Sequence, residues 1–197
     1  MGNKGNSIIE VVVVIVILTF GIVGTFSILN SSQILSTTTE NKIKAINIAR
    51  DGIESVINIR DTNWIKFSSD YSYCWFVKAY DVNCIGSTLA TLKNYPTGDY
   101  AIEQIGSLLY LTGSTQFPVY YDANGLITQS GSFSTKCTSS LSTGCVSIFT
   151  RKIHIEVIDP LNEIKVSSIA EWRDSAKKNG PYRINLETTL TNWKTKF

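Results

Sequence analysis

The stretch Lys4-Gly5-Asn6-Ser7-Ile8-Ile9-Glu10-Val11-Val12-Val13-Val14, which continues as IVILTFGIVGTFSIL to Leu29, decides how this chain is read. The 22 residues from Ile8 to Leu29 hold a single charge, Glu10. At about 1.5 Å of rise per residue, a helix of that length covers a hydrocarbon core of about 30 Å. A cleaved secretory signal and a retained anchor both begin with an apolar run. A signal keeps its apolar region to about 7–15 residues and closes it with a small-x-small cleavage site. Here the run is longer and passes into Asn30-Ser31-Ser32-Gln33 without such a site. The expectation is a transmembrane helix over residues 6–30 in a single-pass membrane protein. Lys4 and the amino terminus precede the span, so the positive-inside rule sets the N-terminus in the cytoplasm and exports the rest.

Glu10 is the anomaly in this run. A carboxylate at the centre of a membrane helix costs about 2.5–3.5 kcal/mol on insertion scales, and less near an interface. Two readings follow. Glu10 sits at headgroup depth near the helix N-terminus, where the macrodipole favours an anion, or it is a functional group that meets a partner.

The residues around it carry a resemblance. Lys4-Gly5-Asn6-Ser7-Ile8-Ile9-Glu10 resembles the processing site of type IV pilins and type II secretion pseudopilins, where a basic leader ends in Gly and the apolar mature chain carries Glu at its fifth position. The resemblance implies a prepilin leader over residues 1–5, cleavage between Gly5 and Asn6 by prepilin peptidase, and N-methylation of Asn6. Asn6 stands where the family usually has Phe. It also implies an assembly role for Glu10, whose carboxylate meets the Asn6 amine of a neighbouring subunit, so that two charges neutralise in a low-dielectric bundle. The implied partners are other pilin or pseudopilin subunits, prepilin peptidase, the inner-membrane assembly machinery and the membrane, with a cell-surface filament as the destination. A second, looser likeness to minor-pilin-type sequences lies in Ala49-Arg50-Asp51-Gly52-Ile53-Glu54 and Asn58-Ile59-Arg60-Asp61-Thr62-Asn63-Trp64. The expected function is a structural filament subunit, of minor pilin or pseudopilin kind. The alternative is a membrane-anchored extracytoplasmic binding or adhesion module that does not polymerise.

Past the span, Ile43, Ile46, Ala49, Ile53, Val56 and Ile57 recur at three- and four-residue spacing among polar residues, which predicts an amphipathic continuation over 31–64 ending near Asp61-Thr62-Asn63. Glu40 and Lys44 form a favourable i,i+4 pair. Gly21 and Gly24 are either points where the helix bends or a close-packing face for another helix. Residues 65–197 read as an extracytoplasmic β-rich head. Residues 100–111 and 117–129 have strand character, and Asp122-Ala123-Asn124-Gly125 is a turn, Asn-Gly being a strong hairpin signal. Alternating apolar residues in Phe149–Ile158, Ile164–Trp172 and Tyr182–Leu190, punctuated by Pro160 with Asn162 and by Asn179-Gly180-Pro181, predict a three-stranded antiparallel meander. Its apolar face needs a cover, and the amphipathic half-helix supplies one. The fold class is therefore α+β, a long N-terminal helix packed on an antiparallel sheet in type IV pilin-like fashion.

The remaining composition narrows the function. A formal charge of +2, from 18 basic and 16 acidic residues without a basic block, gives no nucleic-acid footprint. Cys74 with Cys84 and Cys137 with Cys145 form two local pairs in Ser/Thr/Gly-rich stretches. Such spacing suits loop-closing disulfides, with in-order pairing the cheapest, while four free thiols in a reducing compartment remain the alternative. No CxxC is present and His154 is the sole histidine, which argues against zinc. Asp122 and Asn124 offer oxygens to a calcium ion, without a full ligand set. No catalytic site is expected: His154 lies alone on the polar face of a strand, no G-x-S-x-G elbow occurs, and no phosphate loop is present. No cofactor is expected either. Tyr71, Tyr73, Trp75 and Phe76 beside Cys74 read as packing around a disulfide or as a ligand platform. This loop and 132–144 are where recognition would lie.

Overall fold

A computed structural model describes residues 6–87, 93–138, 141–173 and 180–194, the side chains of Asn6 and Ser7 excepted. Helix α1 runs from Asn6 to Lys66. The chain divides into two compact units, Met1–Lys42 and Ile43–Phe197. In the first, the described residues are all helical. The expected leader, including Gly5, lies outside the described residues, as does Asn179 of the expected turn.

In the second unit, the last part of α1 lies against an antiparallel sheet of seven strands: β1 (Gly98–Ile105), β2 (Leu108–Gly113), β3 (Pro118–Tyr121), β4 (Ile127–Thr128), β5 (Cys145–Asp159), β6 (Glu163–Trp172) and β7 (Tyr182–Thr191). A short helix α2, Tyr71–Cys74, and two 3-10 turns, Lys78–Tyr80 and Val82–Cys84, connect α1 to the sheet region. Strand β5 organises the sheet. One edge pairs with β6 from Phe149↔Trp172 to Asp159↔Glu163. Its other edge is shared, β1 taking Ile153 to Ile155 and β3 taking Cys145 to Thr150. Strand β7 then adds to β6 from Trp172↔Tyr182 to Glu163↔Thr191. The meander β5–β6–β7 follows from sequence alternation, since period-two patterning puts Ile153, Ile155, Ile164, Val166 and Ala170 on one buried face. Asp159 shapes its first turn, Oδ1 accepting from the Leu161 amide at 2.9 Å and Oδ2 from the Asn162 side chain at 2.8 Å.

Three expectations need correction. Residues 100–111 are not one strand; the chain reverses at Gly106-Ser107, with Gly106 at φ 63°, so β1 and β2 make a hairpin. Helix α1 continues to Lys66, because Asn63 and Trp64 fall on its buried face and are 0% and 3% exposed. That face is also displaced from the expected stripe. Its buried positions run Ala45, Ile48, Ala49, Gly52, Ser55, Val56 and Ile59, whereas Ile43 is 56% exposed. Small residues dominate the crossing because α1 approaches the sheet closely there. A Cβ on Gly52 would collide with the Ser168 hydroxyl, and would stand 2.8 Å from Ile153 Cδ1 and 3.2 Å from Arg151 Cδ.

Two apolar clusters fill the space between α1 and the sheet. Ala45, Ile48 and Ala49 pack with Val119, Phe149, Ala170 and Trp172. Val56, Ile59 and Trp64 pack with Trp75, Phe76, Tyr95, Ile153 and Ile164 among others. A third cluster, Phe67, Cys74, Val77, Tyr80 and Cys84, surrounds the first disulfide. The C-terminal end of β7 locks to the end of α1. Trp64 Nε1 donates to Asn192 Oδ1 at 3.1 Å, and Asn192 Nδ2 donates to the carbonyl of Leu161 at 3.2 Å.

Candidate assembly segment and polar sites of the head

In the N-terminal unit, the large apolar side chains from Ile8 to Leu35 are all exposed, with Phe20 at 75%, Ile8 at 69% and the most covered, Val16, at 45%. Valine and isoleucine are stiff at χ1 and only moderate helix formers, so propensity alone does not explain this helix. A segment this apolar suits an environment without competing water, where every backbone group must be satisfied within the segment. The hydroxyls follow the same rule. Thr19 donates to the Val16 carbonyl and Thr25 to the Gly21 carbonyl, each at 2.8 Å, and Ser31 to the Ser27 carbonyl at 3.0 Å. The helix is long and apolar enough to cross a membrane. Burying a large apolar side chain is worth about 1.5–3 kcal/mol, so covering this surface is worth tens of kcal/mol, a strong drive toward lipid or toward other apolar helices. Gly21 and Gly24 have open space where a Cβ would stand.

Glu10 is the fifth residue of α1 as it starts at Asn6, one turn in, and its side chain is exposed. The main-chain amides of the first turn lack intrahelical acceptors, so an anion here faces the positive end of the helix. Between Lys4 and Glu40 the sequence has no other charge.

In the head, Cys74 is bonded to Cys84 and Cys137 to Cys145, with Cα atoms 5.4 and 5.0 Å apart. Trp75 and Phe76 are core residues, 0% and 1% exposed, with ring centroids 5.6 Å apart; Tyr71 and Tyr73 are half-buried. Tyr80, in the same region, donates to the Leu109 carbonyl at 2.7 Å. Burial, reinforced by Tyr95 and Tyr110, pushes its phenol up to about 12. Asp122 caps its own turn, Oδ1 accepting from the amides of Asn124 and Leu126, each at 2.8 Å, so this oxygen serves the backbone.

His154 is not alone. Its Nδ1 lies 2.7 Å from Asp99 Oδ1, while Lys152 Nζ donates to Asp99 Oδ2 at 3.0 Å. Partial burial pushes the Asp99 carboxyl up, but the hydrogen bonds from His154 and Lys152 outweigh it and hold the group below its ordinary range. The three residues meet because β1 pairs with β5 at Asp99↔His154.

One buried polar centre escaped the sequence reading. Arg151 is on the inward face of β5, in phase with Ile153, and is 1% exposed. Its guanidinium is paired with the Asp51 carboxylate of α1. Arg151 Nε donates to Gln129 Oε1 at 3.0 Å, and Gln129 Nε2 donates back to the Arg151 carbonyl at 2.7 Å. The same Gln129 Oε1 accepts the Ile102 amide at 3.1 Å. Burial draws the Arg151 guanidinium down from its ordinary range, and Asp51 opposes that. The centre joins α1, β1, β5 and the segment after β4. Its only sequence signal was the parity of Arg151 with Ile153 and Ile155.

Among the described residues no group of three or more His, Cys, Asp or Glu side chains is placed to hold a metal ion. Compared with known proteins, the chain matches no family model, no curated protein and no solved structure.

Proposed function

We propose that this chain is a structural subunit, of the minor pilin or pseudopilin kind, in a type IV pilus-like filament. The observation that carries the proposal is the helical surface from Ile8 to Leu35, exposed along its length and interrupted by one carboxylate, Glu10. Such a surface suits lipid before assembly and neighbouring helices after it. The carboxylate gives assembly a register: in lipid it has no opposite charge, and in a bundle it meets the amine of an adjacent subunit. The resemblance of Lys4–Val14 to a prepilin processing site supplies that amine, at Asn6 after cleavage from Gly5. Prepilin peptidase is the processing enzyme in this proposal, and the head faces outward on the filament.

Intact mass and N-terminal sequencing of the membrane-extracted protein test the processing step. The expected chain begins at Asn6 and carries a methylated amine; a chain beginning at Met1 contradicts the proposal. Glu10→Ala tests the register. The variant is expected to insert as well as the native chain and to be lost from sheared filaments by tenfold or more. Undiminished incorporation overturns the pairing of Glu10 with a neighbour.

A further inference from the structure

Strand β5 leaves one rung of its ladder empty. On the edge shared with β6 the register ends at Phe149↔Trp172, so Arg173 has already left the strand where it would face Ile148. Past the gap the same edge is taken up by residues 135–137. The Val146 amide donates to the Thr135 carbonyl at 2.8 Å, and the Cys137 amide to the Val146 carbonyl at 2.9 Å. Main-chain groups of successive strand residues point to opposite edges. Two further bonds fix the phase on the β3 side. The Arg151 amide donates to the Phe117 carbonyl at 2.8 Å, and the Phe149 amide to Ser147 Oγ at 3.1 Å, the same hydroxyl that donates to the Val119 carbonyl. Ile148 therefore turns its N–H and C=O to the β6 side, between the occupied rungs at Val146 and Thr150, and no described residue bonds to them. Ile148 is 53% exposed and lines a cavity of about 470 Å³ at this gap. Val146 adds apolar surface to the lining, and Lys136 and Arg173 stand in it as exposed cations. Neither cation enters an ion pair among the described residues, whereas Glu171 in the same lining has Arg183 at 3.7 Å.

We propose that this gap captures the C-terminal residue of a peptide chain with an apolar last side chain. The amide of that residue donates to the Ile148 carbonyl, and one carboxylate oxygen accepts from the Ile148 amide. Lys136 and Arg173 neutralise the carboxylate, and the side chain lies on Val146 and Ile148. Rungs filled on both sides leave room for one residue, so an added strand does not fit and a chain end does. Two unpaired cations select a free carboxylate over an amidated terminus. A fatty carboxylate reaches the cations but has no N–H for the Ile148 carbonyl. The proposal concerns the head alone, and its failure leaves the filament reading untouched.

The test uses the full chain, isotope-labelled and in detergent, with the Ile148 amide resonance followed by NMR. The probes are acetyl-Ala-Ser-Leu with a free carboxylate, the same peptide with a C-terminal amide, and isocaproate, which keeps the carboxylate and the leucine side chain but has no amide. The Ile148 resonance is expected to shift saturably with the acid peptide, and the other two probes are expected to bind more weakly by about tenfold or more. Lys136→Gln combined with Arg173→Gln changes two exposed residues, and is expected to weaken the acid peptide by about tenfold or more while leaving the amidated one unchanged. If that variant does not fold, the three probes on the native chain still decide the matter. No saturable shift, equal binding of the acid and amidated peptides, or isocaproate binding as tightly as the acid peptide overturns the proposal.

Discussion

Helix α1 has two surfaces along one element. From Ile8 to Leu35 its Val, Ile, Leu and Phe side chains are exposed; from Ala45 to Trp64 its inward positions are closed, many of them by small residues, against the sheet. Backbone hydrogen bonding is the same in both stretches, so the helix itself carries little information about role. The information lies in what each surface needs. The first stretch is dominated by large apolar side chains, and lipid or other helices would suit it equally as cover. The second stretch alternates small and large side chains at a spacing that fits one partner, the sheet of its own head. Uniform greasiness suits an interchangeable environment, and graded side-chain size suits a unique one.

Substitutions in the head sharpen the contrast, because each should destabilise the head while leaving the helical signal of residues 8–42 intact. The largest effect is expected at Arg151. Arg151→Ala empties a large, fully buried position, removes the guanidinium donor from Gln129 Oε1 and takes the counter-ion from Asp51, and should cost about 2–5 kcal/mol in denaturant titrations of the detergent-solubilised chain followed by near-UV circular dichroism. An effect under about 1 kcal/mol would show that the centre is dispensable. Next is the first disulfide: replacing Cys74 and Cys84 together by Ala is expected to cost about 2–3 kcal/mol by the chain-entropy model, read from the same titration. Gly52→Ala follows, at about 1–3 kcal/mol of overpacking; a neutral result would mean that α1 can lift off the sheet. The smallest effect concerns pH. Asp99 has a folded-state carboxyl held below its ordinary value of 3.8, so its contribution is present above that value and is lost as pH falls through the lower folded one. Asp99→Asn should therefore flatten the acid limb of the stability curve below about pH 4 and change little at neutral pH.

The long apolar helix was legible because a single charge, Glu10, over a span of membrane length admits few readings. The meander was legible because Ile153, Ile155 and Val157 alternate with Lys152, His154 and Glu156, and a strand with one wet face leaves that imprint. Arg151 was not, since it violates the very pattern that identifies its strand: a charge at an inward position looks like a break until Asp51 and Gln129 are seen around it. The contact stripe of α1 was misplaced because periodicity counts large apolar residues, whereas the closest approach selects Ala45, Ala49 and Gly52 for what they lack. The Asp99–His154 pair was hidden by a sequence separation of 55, which only strand register can bridge. The segment around Glu10 was read as far as its likeness to a processing site, and in the proposed filament its partner lies on another molecule.

The tie between Trp64 and Asn192 has a consequence in time. Its two ends are 128 residues apart, and synthesis proceeds at about 5–20 residues per second. Trp64 therefore emerges roughly 6–25 seconds before the residue that satisfies its indole. Until then strand β7 is missing, β6 has an open edge, and the apolar clusters lack their last wall. A nascent head in that interval is an aggregation hazard. In the proposed filament subunit, the apolar helix that precedes it would hold the unfinished head to one place while the chain is completed.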